Sequence, residues 1–429
     1  MRDQASYGDS DPIAAIATAT GPAAIAVIRL SGAGCIQRTA PLFSRPTALL
    51  EAKGHSAVFG RFLTADGSHL DEVLITVFHA PRSFTGEDSL EVSCHGGSLI
   101  SRRILQSLES IGFRRALPGE FCFRAYSNGK MDLTQAEAVM DLVNARSDTA
   151  REHALRRLEG ELRYRLEELR SEILHILAAA ELYLDYSEED ISLAPDEEEA
   201  AGQMPQRERA EALLARIDGL LASWKRERLW LEGASITLAG RPNAGKSSLF
   251  NRLLKEERAL ISEEAGTTRD WLEAGLLIDG IPIRLIDTAG LREDAGRLEA
   301  AGIERSRERM EESDLILWLV DGSIKENGDT DSPLPLSEDS RAVIRIWTKA
   351  DIAPPAPEGF IALSTKSGQG VEELLEAIRE RLEEDNIYDK DGGDSIGIAS
   401  ERQKVLLETA RAALGEAIER SDRSLPLDL

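Results

Sequence analysis

The sequence predicts a multidomain chain: an α+β N-terminal domain, an all-α helical bundle, and an α/β domain inserted into that bundle. Strand-like apolar segments separated by turn-rich pieces occupy residues 1–125. Helical apolar periodicity follows in 126–232 and returns in 385–429. Between them, residues 233–384 alternate buried-strand runs with helical stretches, which is typical of a parallel sheet. These four ranges are the predicted domain boundaries.

Composition limits the classes of protein that need consideration. The 429 residues suffice for two or three domains, and the net charge of −25 argues against a surface that coats nucleic acid generally. No apolar run reaches membrane-spanning length, and the N-terminus lacks a signal-peptide pattern. The three cysteines show no CxxC spacing and fit a reducing compartment. We therefore expect a soluble, cytoplasmic protein.

Each part of the chain shows its own periodicity. The N-terminal part is predicted to hold four strands and a helix, at Ile13–Thr18, Ala24–Leu30, Val73–Phe78, Ser89–Ser93 and Ser98–Ile111. An apolar stripe runs from Leu155 to Ile176 with spacings of three and four, which fits a coiled coil and, better, a helix within a bundle. Further helices are predicted at Gln206–Glu232 and Glu401–Arg420, the latter after a polar linker at Asn386–Ser395.

The most informative segment is a phosphate-binding loop. The run from Gly240 to Ser247 reads Gly, four residues, Gly, Lys, Ser. Glycines let backbone N–H groups turn inward around a phosphate, Lys246 would neutralise its oxygens, and the Ser247 hydroxyl would ligate Mg²⁺. A predicted strand, Ala234–Ala239, precedes the loop and a predicted helix, Ser247–Leu254, follows it, so phosphate would meet a helix N-terminus. The residues assigned to this loop are Asn243, Ala244, Gly245, Lys246, Ser247 and Ser248.

Two downstream segments suit the γ-phosphate. In Gly266–Asp270, Thr268 can reach Mg²⁺ and the γ-phosphate, with Thr267 beside it. The predicted strand Ile283–Ile286 leads into Asp287, which would hold Mg²⁺ through water, and the Gly290 N–H can sense the γ-phosphate.

Two further segments suit guanine. After the predicted strand Ala342–Trp347, the run Thr348-Lys349-Ala350-Asp351 places a carboxylate that can accept two hydrogen bonds from guanine. Thr stands where GTPases usually carry Asn and offers fewer contacts, so a somewhat lower affinity is expected. Ser364, Thr365 and Lys366 follow a short predicted strand, Ile361–Leu363, and suit a base-contacting loop. The order of these elements predicts a Ras-like P-loop GTPase domain that binds GTP and GDP.

Outside these motifs, the chain resembles the MnmE/TrmE family of tRNA-modifying GTPases over essentially its whole length. The segments that carry the resemblance are Asp11–Thr18, Ile28–Gly32, Ser83–Asp88, His95–Gly97, Pro118–Phe121, Arg124–Ala125, Lys130–Glu137, Ala265–Asp270 and Asp287–Arg292. The resemblance implies an N-terminal domain that binds a tetrahydrofolate derivative, 5-formyl- or 5,10-methylene-tetrahydrofolate, and forms a homodimer. It also implies a heterotetramer or larger complex with an FAD-containing MnmG-like flavoprotein, in which carbon 5 of the tRNA wobble uridine gains an aminomethyl or carboxymethylaminomethyl group.

The resemblance also implies roles for individual residues. Arg29, Glu91 and Lys130 match folate-contacting positions. A potassium site would use Asn243, Ser262, Glu264 and Thr267, and hydrolysis would depend on K⁺. Glu299 matches the residue that activates water through a bridging water, and the catalytic set is Glu299, Lys246 and Arg269.

The family pattern ends in a short motif with Cys, Ile or Val, Gly and Lys, which this chain does not contain. Either the second helical part is truncated or this member lacks the motif, and full tRNA modification is expected to depend on it. Two other functions fit the GTPase motifs: a GTP-dependent assembly factor of the ribosome-biogenesis type, and a folate-dependent aminomethyltransferase with an accessory switch. Assembly factors usually append a basic RNA-binding domain, and none is evident in the sequence.

Overall fold

A computed structural model of the chain describes residues 11–19, 21–185, 206–256, 259–260, 272–287, 313–324, 342–384 and 396–422. The chain divides into two compact units, Met1–Ala136 and Glu137–Leu429. Among the described residues, none of the helices combines the length and apolar character that crossing a bilayer requires.

The first unit is built on a six-stranded sheet. Its strands are β1 (Ile13–Ile16), β2 (Ile25–Ser31), β3 (Ser56–Leu63), β4 (His69–Phe78), β5 (Ser89–His95) and β6 (Arg114–Arg115). The order across the sheet is β3-β4-β5-β2-β1-β6, and neighbours are antiparallel except for the parallel pair of β1 and β6. Strand β4 buries Val73, Ile75 and Val77, every second residue, because alternate side chains of a strand face opposite sides. β3 lies outside every predicted strand.

In the described residues that lie wholly within the first unit, four α-helices accompany the sheet. They are α1 (Cys35–Thr39), α2 (Pro46–Leu50), α3 (Ser98–Ser110) and α4 (Glu120–Ser127). Helix α3 buries Ile104, Leu105 and Leu108 in the same core as the inner face of the sheet. Their spacing of one and three residues places them on one helical stripe. The predicted helix Ser98–Ile111 is thereby confirmed to within one residue.

The second unit combines long helices with a seven-stranded sheet. Helix α5 (Leu133–Asn144) crosses the boundary between the two units. The helices of the second unit are α6 (Asp148–Leu158), α7 (Glu161–Asp185), α8 (Gln206–Glu232), α9 (Lys246–Glu256), α10 (Val371–Glu384) and α11 (Glu401–Asp422). Its strands are β7 (Ala234–Gly240), β8 (Ala259–Leu260), β9 (Leu272–Ile278), β10 (Ile281–Asp287), β11 (Leu315–Asp321), β12 (Ala342–Thr348) and β13 (Phe360–Leu363).

The apolar stripe from Leu155 to Ile176 does not belong to one helix, so the expectation of a continuous stripe is wrong. Gly160 adopts φ = 95° between α6 and α7 and ends α6. A glycine in the left-handed region is a common helix terminator because it has no Cβ to clash. On α6 the stripe residue Leu155 is exposed and the helix buries Ala150 and Ala154 instead, whereas Leu169 of α7 packs with Leu213 and Ile217 of α8 in a bundle core.

The sheet of the second unit gathers strand ends at one edge. Its order is β13-β12-β11-β7-β10-β9-β8, and the pairs joining β13, β12, β11, β7 and β10 are parallel. The carboxyl ends of these strands therefore meet at the same edge, where open α/β sheets bind ligands. The predicted strands before the phosphate loop and the guanine motif are confirmed. β9 and β11 lie outside every predicted strand, and the predicted linker at Asn386–Ser395 is outside the described residues.

Candidate nucleotide-binding site

The phosphate loop joins β7 to α9 through a backbone that glycine makes possible. Gly240 and Gly245 have φ of 147° and 94°, in the region that favours glycine. A Cβ at Gly240 would lie 2.3 Å from the carbonyl oxygen of Leu319 on the neighbouring β11. Asn243 also has a positive φ, 64°, and Asn is one of the side chains that tolerate it. The loop therefore turns sharply into the first turn of α9.

Lys246 places its charge inside this loop. The residue is buried, and its Nζ donates hydrogen bonds to the carbonyl oxygens of Gly240, at 2.8 Å, and Arg241, at 3.0 Å. The ammonium group thus lies at the N-terminus of α9, where the helix dipole and unpaired N–H groups already favour anions. The arrangement suits neutralisation of a phosphate.

A hydroxyl and a carboxylate meet beside the loop. The Ser247 hydroxyl donates to Oδ2 of Asp287 at 2.9 Å, and Asp287, at the end of β10, is fully buried. Such oxygen donors are the ligands that Mg²⁺ prefers. The structure brings together the two residues to which the sequence analysis assigns Mg²⁺, and the metal site itself stays a prediction.

The guanine motif begins with a residue that faces the phosphate loop. The buried Thr348 hydroxyl lies 2.8 Å from the carbonyl oxygen of Ala244 and 3.0 Å from that of Val320, and it can donate to either. Thr348 therefore links β12 to the phosphate loop and to β11. This contact was not foreseen, because the sequence shows the residue type and not its partner.

One carboxylate belongs to the motif and a second lies next to it. Asp351 Oδ1 accepts a hydrogen bond from the buried Ser364 hydroxyl at 2.9 Å, so the structure brings these two predicted base-site residues together. Lys349 forms an ion pair with Asp321, at the end of β11. Asp321 was missed by the sequence reasoning. Its signal is an apolar run ending in a carboxylate, the pattern that Asp287 also follows.

The remaining predicted residues of this site are either at the surface or undescribed. Asn243, Ser248 and Lys366 are exposed, and Thr365 is half-buried. Those outside the described residues are Ser262, Glu264, Thr267, Thr268, Arg269, Gly290 and Glu299.

The candidate folate residues lie in the first unit. Arg29 on β2 and Glu91 on β5 are direct cross-strand partners, and Arg29 Nη2 lies 2.8 Å from Glu91 Oε1. The guanidinium carbon of Arg29 lies 5.2 Å from the ring centre of Phe84. Lys130 is exposed and donates through Nζ to the carbonyl oxygen of Pro81 at 3.1 Å. The structure therefore pairs two of the three and places the third against the loop that also carries Phe84.

A largely parallel sheet with a phosphate loop after β7, an acid at the end of β10 and a guanine-type motif after β12 defines a P-loop GTPase. Residues 12–130 match the family model described as GTP-binding protein TrmE N-terminus, and residues 133–429 match the MnmE helical domain. The chain belongs to the MnmE/TrmE family.

Named relatives agree with this assignment. The tRNA modification GTPase MnmE of Treponema denticola is 39% identical over 445 residues, covering 99% of this chain and 91% of the relative. The protein of the same name from Thermus thermophilus is 42% identical over 422 residues, covering 98% and 91%. Among solved structures, the G domain of the T. maritima FeoB iron transporter is 26% identical and covers 34% of this chain and 98% of its own. Its TM-score is 0.28.

Proposed function

We propose that this chain is the GTPase subunit of a complex that modifies carbon 5 of the tRNA wobble uridine, together with an FAD-containing MnmG-like flavoprotein. The observation that carries the proposal is the phosphate loop, with Lys246 inside it and the Ser247–Asp287 pair beside it. It is supported by membership of a family whose named relatives are tRNA modification GTPases. In this proposal, residues 1–125 bind folate and form the dimer, residues 233–384 form the GTPase domain, and residues 126–232 and 385–429 form the two parts of the helical domain.

In the proposed reaction, the protein compensates charge around the phosphates. Lys246 neutralises oxygens of the β- and γ-phosphates, as the loop position of its ammonium group supports. Ser247 and Thr268 would hold Mg²⁺, with Asp287 accepting from a water ligand, and the ion would supply Lewis-acid stabilisation. Asp351, braced by Ser364, reads guanine.

The proposal includes a dependence on K⁺. Asn243, Ser262, Glu264 and Thr267 would hold the ion, whose charge would supplement that of Lys246. The exposed position of Asn243 in the loop is compatible with this role. Glu299 would orient the attacking water through a second water, and Arg269 completes the catalytic set.

In the first unit, we propose a tetrahydrofolate site and a homodimer contact. Arg29 and Lys130 would bind the glutamyl carboxylates of folate, and Glu91 would accept from the pterin N–H groups. The donor set fits, because the half-buried Arg29 guanidinium lies beside the rings of Phe84 and Phe121 and pairs with the half-buried Glu91 carboxylate. Folate would supply the one-carbon unit of the modification.

The test combines hydrolysis with a product assay on the full chain. With GTP, Mg²⁺, folate, the flavoprotein and unmodified tRNA, we expect K⁺-stimulated hydrolysis and a wobble uridine altered at carbon 5, detected by mass spectrometry of digested tRNA. Lys246→Ala should abolish both. Equal rates of GTP hydrolysis in Na⁺ and K⁺ would contradict the proposed potassium site. Hydrolysis with an unaltered uridine, accompanied by binding to ribosomal particles, would favour the assembly-factor function instead.

A further inference from the structure

We infer that Asp321 is a positioning residue of the guanine site: its carboxylate holds Lys349 in a left-handed backbone conformation and thereby aims Asp351 at the base. The inference rests on the proposed base-reading role of Asp351 and extends it to a residue that no motif includes. Its basis is a chain of contacts from the end of β11 through the turn after β12.

The sheet register places Asp321 at the centre of the site. β11 and β12 are parallel, with Asp321 opposite Thr348, and on its other side β11 pairs with β7, with Leu319 opposite Gly240. The end of β11 therefore lies between the phosphate loop and the turn that carries Asp351. A side chain there can act on both.

The Asp321 carboxylate is itself held in one orientation. Its side chain is 7% exposed, and Oδ1 accepts hydrogen bonds from the Ser323 backbone N, at 3.0 Å, and from the Ser323 hydroxyl, at 2.6 Å. Oδ2 is thereby turned to the ammonium group of Lys349. Although burial opposes ionisation, the hydrogen bonds from Lys349 and Ser323 keep the pKa of Asp321 below its ordinary value. The carboxylate is a fixed, charged anchor.

Lys349 needs such an anchor because of its backbone. Its φ is 59°, a conformation that a long side chain adopts only when its surroundings impose it. The N–H groups of Ile352 and Ala353 both donate to the Lys349 carbonyl oxygen at 3.0 Å, so the turn that contains Asp351 closes on this residue. If Lys349 relaxed to negative φ, this turn would change shape.

The consequence concerns how the base is read. A carboxylate discriminates guanine by accepting from two N–H donors at once, which demands a defined orientation because hydrogen bonds weaken steeply with angle. Asp351 is steadied by Ser364 on one side and by the Lys349 turn on the other. Loss of the Asp321 charge should therefore weaken discrimination of the base and leave recognition of the phosphates intact.

The experiment measures binding of GDP and of inosine diphosphate, which lacks the 2-amino group, by calorimetry on the full chain with Mg²⁺. Asp321→Asn keeps the shape and an acceptor for Ser323 but removes the charge. We expect its Kd for GDP to rise about tenfold, since a hydrogen bond to a charged group is lost, and its preference for GDP over inosine diphosphate to fall. The affinity of D321N for pyrophosphate should equal that of the wild type.

A matched control lies at the other end of the same strand. Asp314 precedes β11, and its Oδ2 accepts from the Ser235 backbone N and hydroxyl at 2.7 Å each. Asp314→Asn removes the same charge from a similar serine contact at the opposite edge of the sheet, so GDP affinity and preference should stay at wild-type values. An equal loss in D314N and D321N would overturn the inference.

A variant with glycine at position 349 distinguishes a positioning role of Asp321 from a direct effect of its charge on the nucleotide. Glycine adopts positive φ without an anchor, so in Lys349→Gly the added D321N change should have no further effect on GDP preference. A D321N effect that persists in the K349G background would overturn the inference. Asp351→Asn tests the underlying proposal: unchanged GDP binding by D351N would refute the base-reading role itself. A loss in D351N with wild-type behaviour in D321N would refute the role of Asp321 alone.

Discussion

Thr348 illustrates how one residue can change its apparent role once its neighbours are known. By residue type, a Thr in place of Asn promises fewer contacts to the base. In the fold, its buried hydroxyl instead lies between the carbonyl oxygens of Ala244 and Val320. The residue thus links the strand that carries the guanine motif to the phosphate loop, and it does so with a single hydroxyl.

This link can be tested by removing only the hydroxyl. Thr348→Val keeps the shape and deprives two buried carbonyl groups of their shared donor, so we expect the free energy of unfolding to fall by about 1–3 kcal/mol. Urea denaturation of the second unit measures it. Thr348→Ser keeps the hydroxyl and should lose less than T348V. Equal losses for the two variants would show that the methyl group, and not the hydrogen bond, matters.

At the level of elements, β7 and β11 leave no room for a side chain at Gly240, where the phosphate loop begins. Any side chain at Gly240 would meet the carbonyl oxygen of Leu319, and backbone atoms in a central sheet cannot move aside easily. We expect Gly240→Ala to lower the free energy of unfolding by about 1–3 kcal/mol through overpacking and strain at positive φ. It should also weaken GDP binding, because the loop starts here.

Gly219 provides the opposite case on α8. It lies inside the helix, exposed, and a Cβ there would meet nothing within 4 Å. Gly219→Ala should therefore stabilise the protein by about 0.5–1 kcal/mol, since alanine loses less backbone entropy on folding. Chemical denaturation of both glycine variants gives the comparison. A destabilised G219A or a neutral G240A would contradict this account of the two positions.

A buried charge network joins helices α6 and α8 of the second unit to the segment that precedes α11. Glu227 of α8 lies 2.6 Å from Arg157 Nη1 and 3.0 Å from His153 Nδ1, both on α6, and it accepts from the backbone N of Gly397 at 3.0 Å. Burial opposes ionisation of Glu227, but the hydrogen bond from His153 and the charge of Arg157 outweigh it and lower its pKa. The second helical part is thus tied to the first by a carboxylate.

The sign of the pH effect follows from that shift. Folding lowers the pKa of Glu227 below its ordinary 4.5. The ionised carboxylate therefore stabilises the folded state above about pH 4.5, and this stabilisation is lost as the pH falls through the pKa of the folded state. Glu227→Gln should flatten this acid dependence and, at neutral pH, destabilise by about 1–3 kcal/mol, since the buried Arg157 loses one carboxylate partner and keeps the other, Asp141, at 3.3 Å. Denaturation midpoints from neutral pH down to about pH 3 measure both, because a glutamate with a lowered pKa titrates below its ordinary 4.5.

The control for this network lies five residues further along the same helix. Glu232 pairs with Arg228 at the surface, and exposed ion pairs contribute about 0–1 kcal/mol. Glu232→Gln should therefore change little at any pH. If E227Q retained the full acid dependence of the wild type, the network would not be its source.

For the whole molecule, the separate cores have a thermodynamic consequence. The first unit has its own apolar core around Ile28, Leu90 and Ile104, and the nucleotide site belongs to the second unit. We expect calorimetry to resolve more than one transition, and Mg²⁺ with GDP at 100 times its Kd to stabilise only the second unit, by about 2.7 kcal/mol. A single transition that shifts as a whole would show that the units unfold together.

Much of the local structure around the nucleotide site can be predicted from residues that are close together in the sequence. The strand, loop and helix from Ala234 to Glu256 were predicted to within two residues, and Gln206–Glu232 was predicted with the bounds observed. These signals depend on spacing within one turn or one strand. The break at Gly160 was missed because apolar periodicity continues across it, and no local pattern records that the two helices use separate stripes.

What the sequence determined by itself is the class of protein, a P-loop GTPase of the MnmE/TrmE family, because its motifs are defined by residues close along the chain. Only the tertiary structure decided which distant side chains meet, such as Arg29 with Glu91, Thr348 with Ala244, and Asp321 with Lys349. The physical reason is that motifs reflect local spacing, whereas these contacts depend on the register between strands and on burial that many residues share.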